Sequence, residues 1–224
     1  MSNVRFRGVD RFPPIVKNLI IINVLVWVAQ LIFDKTDGAL TMWLTGKIAL
    51  FPIGDPDFKP YQIATHMFAH ASYQGTPLQY NVVFFHILFN MFALYMFGRI
   101  LENVWGAKRF LFFYLACGVG AAAAHLVMQY IMGGHAPAVG ASGAIMGVFV
   151  AFAYLFPNTE LMIIPIPIPI KAKWICLVYI LIDLFGGFGK LGDDNIAHFA
   201  HLGGAITGII IVLIWNKTNR KTLY

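Results

Sequence analysis

Six long apolar stretches run through this chain, and they constrain its fold more than any other feature of the sequence. A helix needs about 20 residues to cross a hydrocarbon core about 30 Å thick, and fewer where it is short or submerged. The pattern therefore predicts six transmembrane helices. Their expected positions are residues 19–33, 82–98, 110–132, 139–156, 174–187 and 197–215.

The amino-acid composition agrees with a protein that lies in a bilayer. Apolar residues make up 59% of the 224 residues and charged residues 12%, whereas a soluble domain carries about a quarter charged residues. The net charge of +6 arises from Lys and Arg in short clusters beside the apolar stretches, which is typical of membrane orientation signals. The sequence thus predicts an all-α polytopic membrane protein, a six-transmembrane-helix bundle that contacts the lipid bilayer and has no nucleic-acid partner.

Basic residues also predict the orientation of this bundle. If the N-terminus is cytoplasmic, twelve Lys and Arg residues lie on the cytoplasmic side and four on the outer side, which favours both termini in the cytoplasm. The expected organisation is a cytoplasmic tail at 1–18, a membrane domain at 19–216 with a long outer loop at 34–80, and a cytoplasmic tail at 217–224. The first stretch lacks a small-residue cleavage site, so it is expected to be retained.

In this topology the even-numbered helices all enter from the outer face, so their first turns share one depth. The second stretch opens with His86 and Asn90, the fourth with Ser142, and the sixth with His198 and His201. Polar side chains in lipid are costly and usually face the interior of the bundle. Each of these side chains is therefore a candidate functional residue.

These residue types suit nucleophilic chemistry. A serine hydroxyl needs a base to take its proton, and a neutral His is best suited to that near pH 7. Ser142 with His201 would suffice as a dyad, although the residues alone do not choose between His201 and His198. A helix start at Ser142 offers unpaired amides to an oxyanion, and His86 and Asn90, spaced i and i+4, add side-chain N–H groups.

Three segments carry a family resemblance: "HILFN", "GASGAIMG" and "AHLGGAITG", in this order and spacing, resemble the rhomboid family of intramembrane serine proteases. A single GxSG is weak evidence, whereas three motifs at the outer starts of even-numbered stretches are specific. The resemblance implies Ser142 as the nucleophile and His201 as its base. It implies His86 and Asn90 with the Ser142 amide as the oxyanion hole. Gly140, which as a glycine lets the backbone approach closely, is a further candidate at this oxyanion and substrate-binding site.

The same resemblance implies an activity. Members of the family cleave membrane-anchored proteins near the outer end of their transmembrane segments, so transmembrane proteins are the expected substrates. Water is expected to enter a cavity under an outer loop at 188–196. The resemblance implies no cofactor and no acidic third member, and none of the three motif segments contains a carboxylate. The expected location is the bacterial cytoplasmic membrane, and the oligomeric state is not predicted.

Two positions depart from the family pattern. Many members carry an aromatic residue four places after the serine, against which the catalytic imidazole stacks, and this chain has Met146 there. A thioether also contacts rings favourably. In the first outer loop relatives often show Trp-Arg, where this chain has Tyr61 and Gln62. The second departure weakens any inference about how this loop is anchored.

The histidine spacing also raises the possibility of a metal site. His66 and His70 are spaced i, i+4, and His198 and His201 are spaced i, i+3, which are ligand-capable spacings. The chain has no HExxH segment, so no metal is predicted. His66 and His70 are instead expected to form hydrogen bonds within the outer loop.

Two other classes of protein remain as alternatives. A transporter would use polar residues within its spans, with Asp183 as a proton-relay candidate. The chain shows no internal repeat and no matching pair of interrupted helices, so Asp183 is expected to make a polar contact near the outer end of the fifth stretch. A catalytically silent rhomboid-like protein, acting in client binding or quality control, is the other alternative. The presence of both Ser142 and His201 argues against it.

Two connections have predictable local structure. The outer loop is too long to be a mere connector and is expected to carry short helices on the membrane surface, one of them at "QIATHMFAH". The segment "IIPIPIPIPIKAKW" alternates Pro and Ile, which forbids a regular helix and predicts an extended connector at the inner interface.

Overall fold

The computed structural model describes residues 11–36, 39–76, 79–163, 166–188 and 195–218. The described chain is mostly helical. Its α-helices are α1 (Pro14–Phe33), α2 (Trp43–Ile48), α3 (Gln62–Thr65), α4 (Phe85–Ala93), α5 (Arg99–Trp105), α6 (Ala107–Met132), α7 (Ser142–Leu155), α8 (Ala172–Phe188) and α9 (Asn195–Thr218). Its strands are β1 (Lys35–Thr36), β2 (Ala39–Leu40), β3 (Tyr73–Gly75), β4 (Tyr80–Val82), β5 (Glu160–Ile163) and β6 (Ile166–Lys171).

Each of the six apolar stretches coincides with a helix to within a few residues, so the prediction of a mostly helical membrane protein is confirmed. By length and composition, four helices of the described chain are able to cross a membrane: Pro14–Phe33, Phe85–Trp105, Ala107–Met132 and Ala197–Thr218. The second of these is continuous, since a π-helical turn at Leu94–Gly98 joins α4 to α5. Helix α7 is apolar but shorter. The six-span count and the orientation of the termini stay predictions.

The connections between the helices also contain short strands, which the sequence did not predict. Three short antiparallel pairs, β1 with β2, β3 with β4 and β5 with β6, stand within the described residues. The Pro-rich segment is extended as predicted over β6 (Ile166–Lys171), because proline fixes φ and lacks the N–H that a helix needs. Its last residues, from Ala172, already belong to α8. Its pairing with β5, which aligns Met162 with Pro169, was not predicted.

Helix α1 is tied to the first turn of α5 by one carboxylate. Pro14 occupies the first turn of α1, where its missing N–H is not needed. The next two amides, of Ile15 and Val16, donate to the two carboxylate oxygens of Glu102, at 2.9 and 2.8 Å. A negative side chain at a helix N-terminus satisfies unpaired amides and complements the helix dipole. Glu102 thus caps α1 from a distant part of the chain.

The centre of the fold is α7, which is buried along almost its whole length between α6 and α9. Small residues allow the close approach. A Cβ on Gly204 of α9 would collide with the backbone of Gly143, and one on Gly208 would lie 2.9 Å from the Cα of Gly147. Glycines spaced by four on both helices let the backbones touch. This contact fixes the first turn of α7 against α9.

Buried polar groups organise the outer loop. The expected short helices are present as α2 and α3, and a 3₁₀ turn at His66–Phe68 follows α3. Gln30 at the end of α1 donates to the Thr45 hydroxyl and to the backbone carbonyl of His70, and it accepts from the His70 amide. Asp34 accepts from the Thr45 amide. These bonds to the side chains of Gln30 and Asp34 tie the loop to α1.

Gln62, one of the two departures from the family pattern, is fully buried in this loop. Its amide oxygen accepts from the backbone of Lys59 at 3.0 Å, and its amide nitrogen donates to the carbonyl of Asp57 at 2.9 Å. Tyr61 beside it is exposed. Gln62 therefore anchors the loop through backbone contacts that the family comparison did not anticipate.

Two predicted features lie outside the described residues. The first is the expected outer loop at 188–196, of which residues 189–194 lie outside the described chain. The second is the pair of predicted tails, of which residues 1–10 and 219–224 lie outside it.

Candidate active site

Ser142 is the first residue of α7. The chain enters the helix through Gly140, whose φ of +125° is a conformation that side-chain-bearing residues rarely adopt. Amides in the first turn of a helix have no carbonyl of their own helix to bond, and the dipole places partial positive charge there. The serine hydroxyl therefore lies beside backbone donors suited to an oxyanion.

His201 on α9 contacts this hydroxyl directly. Its Nε2 atom lies 2.9 Å from Ser142 Oγ, a normal hydrogen-bond distance for a nucleophile and its base. The two residues are 59 positions apart in sequence, and the glycine contact between α7 and α9 brings them together. The Nδ1 atom, on the other edge of the His201 ring, also makes a hydrogen bond.

Asp183 of α8 bonds to that other edge. Its Oδ1 atom lies 3.1 Å from His201 Nδ1 and 2.8 Å from His198 Nδ1. Asp183 is only 4% exposed. A polar contact was expected for Asp183, but the sequence reasoning did not connect it to the catalytic candidates, because it considered carboxylates only within the three motif segments. The signal was present: Asp183 belongs to the outer half of the fifth apolar stretch, at the predicted depth of the histidines.

His86 faces the space in front of the serine in a fixed tautomer. Its Nδ1 atom accepts the backbone N–H of Ala71 at 3.1 Å. A neutral imidazole that accepts at Nδ1 carries its hydrogen on Nε2. A Cβ on Gly140 would lie 3.1 Å from His86 Nε2 and 3.7 Å from Ser142 Oγ, so both atoms border the same point. The Nε2–H group of His86 thus lies beside the serine hydroxyl.

Asn90 and Gly140 have other partners in this structure. The Asn90 side-chain amide donates to the His86 carbonyl at 2.8 Å, and His86 but not Asn90 is among the described residues that line the cavity at the serine. The Gly140 amide donates to the carbonyl of His66 at 2.9 Å and is therefore occupied. Gly140 allows close approach of His86 and supplies no free donor. Met146, the other family departure, is buried in the apolar core.

A cavity of about 600 Å³ opens beside the Ser142 hydroxyl. This volume is in the range of sites that bind small molecules or short peptide segments. Ser142, His201 and His86 line one part of the cavity, and most of the other lining residues come from the 134–140 segment, α6, α9 and the outer loop. The cavity gives the serine room for a substrate and for water.

His66 and His70 do not form a metal site with each other in this arrangement. His66 Nδ1 bonds to the Gln62 carbonyl at 3.0 Å, while the His70 ring packs on that of His86, with 5.2 Å between centroids. Burial lowers the pKa of His66, and burial lowers the pKa of His70 to about 3, with the nearby His86 adding to the effect. Both rings are therefore neutral near pH 7. The one cluster of metal-capable atoms found among the described residues is Asp183 with His198 and His201.

The fold and the site together define a class: a helical membrane protein with a half-buried serine–histidine pair beside a cavity of about 600 Å³. The model of the rhomboid domain matches residues 57–217, most of the chain. The chain therefore belongs to the rhomboid family, as the three sequence motifs predicted.

Several curated relatives are similar to this chain. The mitochondrial presenilin-associated rhomboid-like protein of Bos taurus is 35% identical over 145 residues, which cover 62% of this chain and 37% of the relative. Mitochondrial rhomboid protein 1 of Saccharomyces cerevisiae is 32% identical over 132 residues, which cover 57% of this chain and 37% of the relative. Rhomboid protease GluP of Bacillus subtilis is 34% identical over 135 residues, which cover 59% of this chain and 24% of the relative. The chain thus matches well under half the length of these relatives.

These comparisons bear on location. The long apolar helices and the family membership both support an integral membrane location for this protein. The expected bacterial cytoplasmic membrane is not supported, because relatives from mitochondria match as well as the bacterial one.

Proposed function

We propose that this protein is an intramembrane serine endopeptidase that cleaves transmembrane segments of membrane-anchored proteins near their outer end. The observation that carries the proposal is the 2.9 Å contact between His201 Nε2 and Ser142 Oγ beside a cavity. The name of the similar Bacillus subtilis protein, a rhomboid protease, supports the same reaction class.

In the proposed reaction Ser142 is the nucleophile. His201 Nε2 takes the hydroxyl proton as Oγ attacks the scissile carbonyl, and a tetrahedral oxyanion forms. The imidazolium then gives its proton to the departing amine, which leaves an acyl-enzyme on Ser142. His201 next activates a water molecule that hydrolyses the ester. No cofactor takes part.

The oxyanion would be held by donors of two kinds. The first-turn amides of α7, including that of Ser142, supply backbone N–H groups with the helix dipole behind them. His86 Nε2–H supplies a side-chain donor, since its Nδ1 atom is occupied by Ala71. Asn90 would contribute only after breaking its bond to the His86 carbonyl, so we assign it a smaller part. Donors that are fixed before the charge develops stabilise the transition state most effectively.

The proposed setting is a six-span membrane domain at residues 19–216 with both termini in the cytoplasm. Support comes from the helix in each apolar stretch and from the twelve-to-four distribution of basic residues. Ser142 would then lie below the outer surface at the start of a helix. Large apolar side chains on α1, α4 and α8 are exposed in the isolated chain, which suits contact with lipid and with substrate helices.

The first test is cleavage of a generic single-span substrate by the purified protein in detergent and in liposomes. We expect cleavage by the wild type, none by Ser142→Ala or by His201→Ala, and no effect of EDTA. A fluorophosphonate probe should label the wild type and fail to label Ser142→Ala. Wild-type rates in either variant would contradict the proposed dyad, and loss of activity with EDTA would favour metal chemistry instead. A wild type that neither cleaves nor reacts with the probe would favour the silent, client-binding alternative.

A further inference from the structure

The His201 ring bridges two side chains in the structure. Its Nε2 edge contacts Ser142 Oγ at 2.9 Å, and its Nδ1 edge contacts Asp183 Oδ1 at 3.1 Å. The carboxylate comes from α8, outside the segments that carry the family resemblance, and it is almost fully buried. A buried carboxylate is costly unless it is well bonded, so this contact needs a physical account.

The contact decides which nitrogen of His201 carries the hydrogen. An ionised carboxylate only accepts hydrogen bonds, so the Nδ1 atom facing it must be the donor. A neutral ring with hydrogen on Nδ1 presents a lone pair on Nε2. That lone pair faces Ser142 Oγ, where a base must accept a proton. The other tautomer would place its single N–H toward the serine hydroxyl and a lone pair toward the carboxylate, which cannot donate to it.

His198 holds the carboxylate in place. Its Nδ1 atom lies 2.8 Å from the same Asp183 oxygen, so Oδ1 accepts from two imidazoles. The absence of a side chain at Gly186 makes room, since a Cβ there would lie 2.6 Å from His198 Nε2. Asp183 Oδ2 has no hydrogen-bond partner among the described residues. All of the polar contacts of Asp183 in that part of the chain therefore point at the two histidines.

We propose that Asp183 is a positioning residue for His201, which fixes the tautomer and the orientation of the catalytic imidazole and stabilises the imidazolium formed during the reaction. This inference rests on the proposed function. It adds an acidic third member where the family resemblance implies none. His198 acts only on Asp183, because it makes no described hydrogen bond to Ser142.

Steady-state kinetics on two matched variants test the proposal. Asp183→Asn keeps the shape of the side chain but turns an acceptor into a group that donates to His201 Nδ1 and favours the wrong tautomer. We expect kcat to fall by about 10²-fold or more with KM within about threefold, since the corresponding change in soluble serine proteases costs about 10⁴-fold. His198→Gln keeps a donor near Oδ1 and should change kcat by less than about tenfold. A wild-type kcat in Asp183→Asn, or an equal loss in both variants, would overturn the proposal.

A spectroscopic measurement tests the same claim without turnover. The measurement is the ¹⁵N NMR spectrum of Ser142→Ala protein with ¹⁵N-labelled histidine. The His201 signal is assigned as the one that disappears in Ser142→Ala/His201→Gln, and we expect it to show the Nδ1–H tautomer. Adding Asp183→Asn should shift it toward the Nε2–H tautomer. An Nε2–H tautomer while Asp183 is intact would overturn the inference even if the wild type cleaves substrate. Conversely, a wild type without activity contradicts the proposed function whatever the tautomer, so the two failures are distinguishable.

Discussion

Gly204 of α9 lies directly against the backbone of Gly143 in α7, the residue that follows the candidate nucleophile. No side chain fits between these two helices at this point. The contact is what sets the distance between Ser142 on one helix and His201 on the other. A pair of glycines that carry no reactive group thus controls the geometry of the dyad.

The first prediction concerns this pair. Gly204→Ala places a methyl group where the Gly143 carbonyl now lies, so the helices must separate. Overpacking of this kind costs about 1–3 kcal/mol, and a separation of about 1 Å at a reacting pair costs about 10²-fold in rate. We expect a lower unfolding temperature in detergent and a larger loss of cleavage. Gly46→Ala is the control, since nothing lies within 4 Å of a Cβ in that short helix. Normal activity in Gly204→Ala would contradict this account.

A second prediction separates backbone strain from contact with His86. Gly140→Ala adds a Cβ that lies 3.1 Å from His86 Nε2, at a φ of +125°. We expect cleavage to fall by about 10²-fold, as for loss of one oxyanion donor, because His86 must move. Gly133→Ala is the control: it also places a side chain at positive φ, but nothing lies within 4 Å of its Cβ, so it introduces backbone strain without a steric contact. Equal activity losses in the two variants would show that strain, rather than His86, is responsible.

The third prediction tests the cap on α1. Glu102→Gln removes the charge that faces the amides of Ile15 and Val16, and one of the two strong acceptors becomes a donor. A buried amide left without its acceptor costs about 1–3 kcal/mol. Thermal unfolding in detergent should show this loss, and Glu160→Gln, an exposed glutamate in β5, should show almost none. An unfolding temperature equal to that of the wild type would mean that the cap contributes little.

The sequence predicts the parts of this molecule that depend on regular periodicity. Apolar stretches predict the long helices, and the three local motifs predict His86, Ser142 and His201, which line one part of the cavity, because each motif lies near a helix start. The Pro-Ile segment is predicted as extended for the simple reason that proline excludes a helix.

Contacts between distant segments could not be predicted in the same way. The bond from Asp183 to His201 depends on how α8 packs on α9, which is decided by Gly186 and Gly187 meeting His198 and Phe199. The strand pairs in the connections have too few residues to give a periodic signal. The occupied amide of Gly140 depends on the fold of a loop more than 70 residues away.

The last prediction follows from the buried imidazole of His70. Burial lowers its pKa to about 3 in the folded protein, whereas an unfolded histidine titrates near 6.5. Between these two pH values His70 is protonated in the unfolded chain but not in the folded protein. The free energy of unfolding therefore falls as the pH drops below about 6.5, and His70 contributes at most about 1.4 kcal/mol per pH unit to this fall. Above about pH 6.5 His70 has no effect on the free energy of unfolding. Unfolding temperatures measured from pH 7.5 to 4.5 should therefore fall less steeply in His70→Gln than in the wild type. His135→Gln, which removes an exposed histidine, is the control and should keep the wild-type slope. An unchanged slope in His70→Gln would show that His70 is protonated in the folded state without cost.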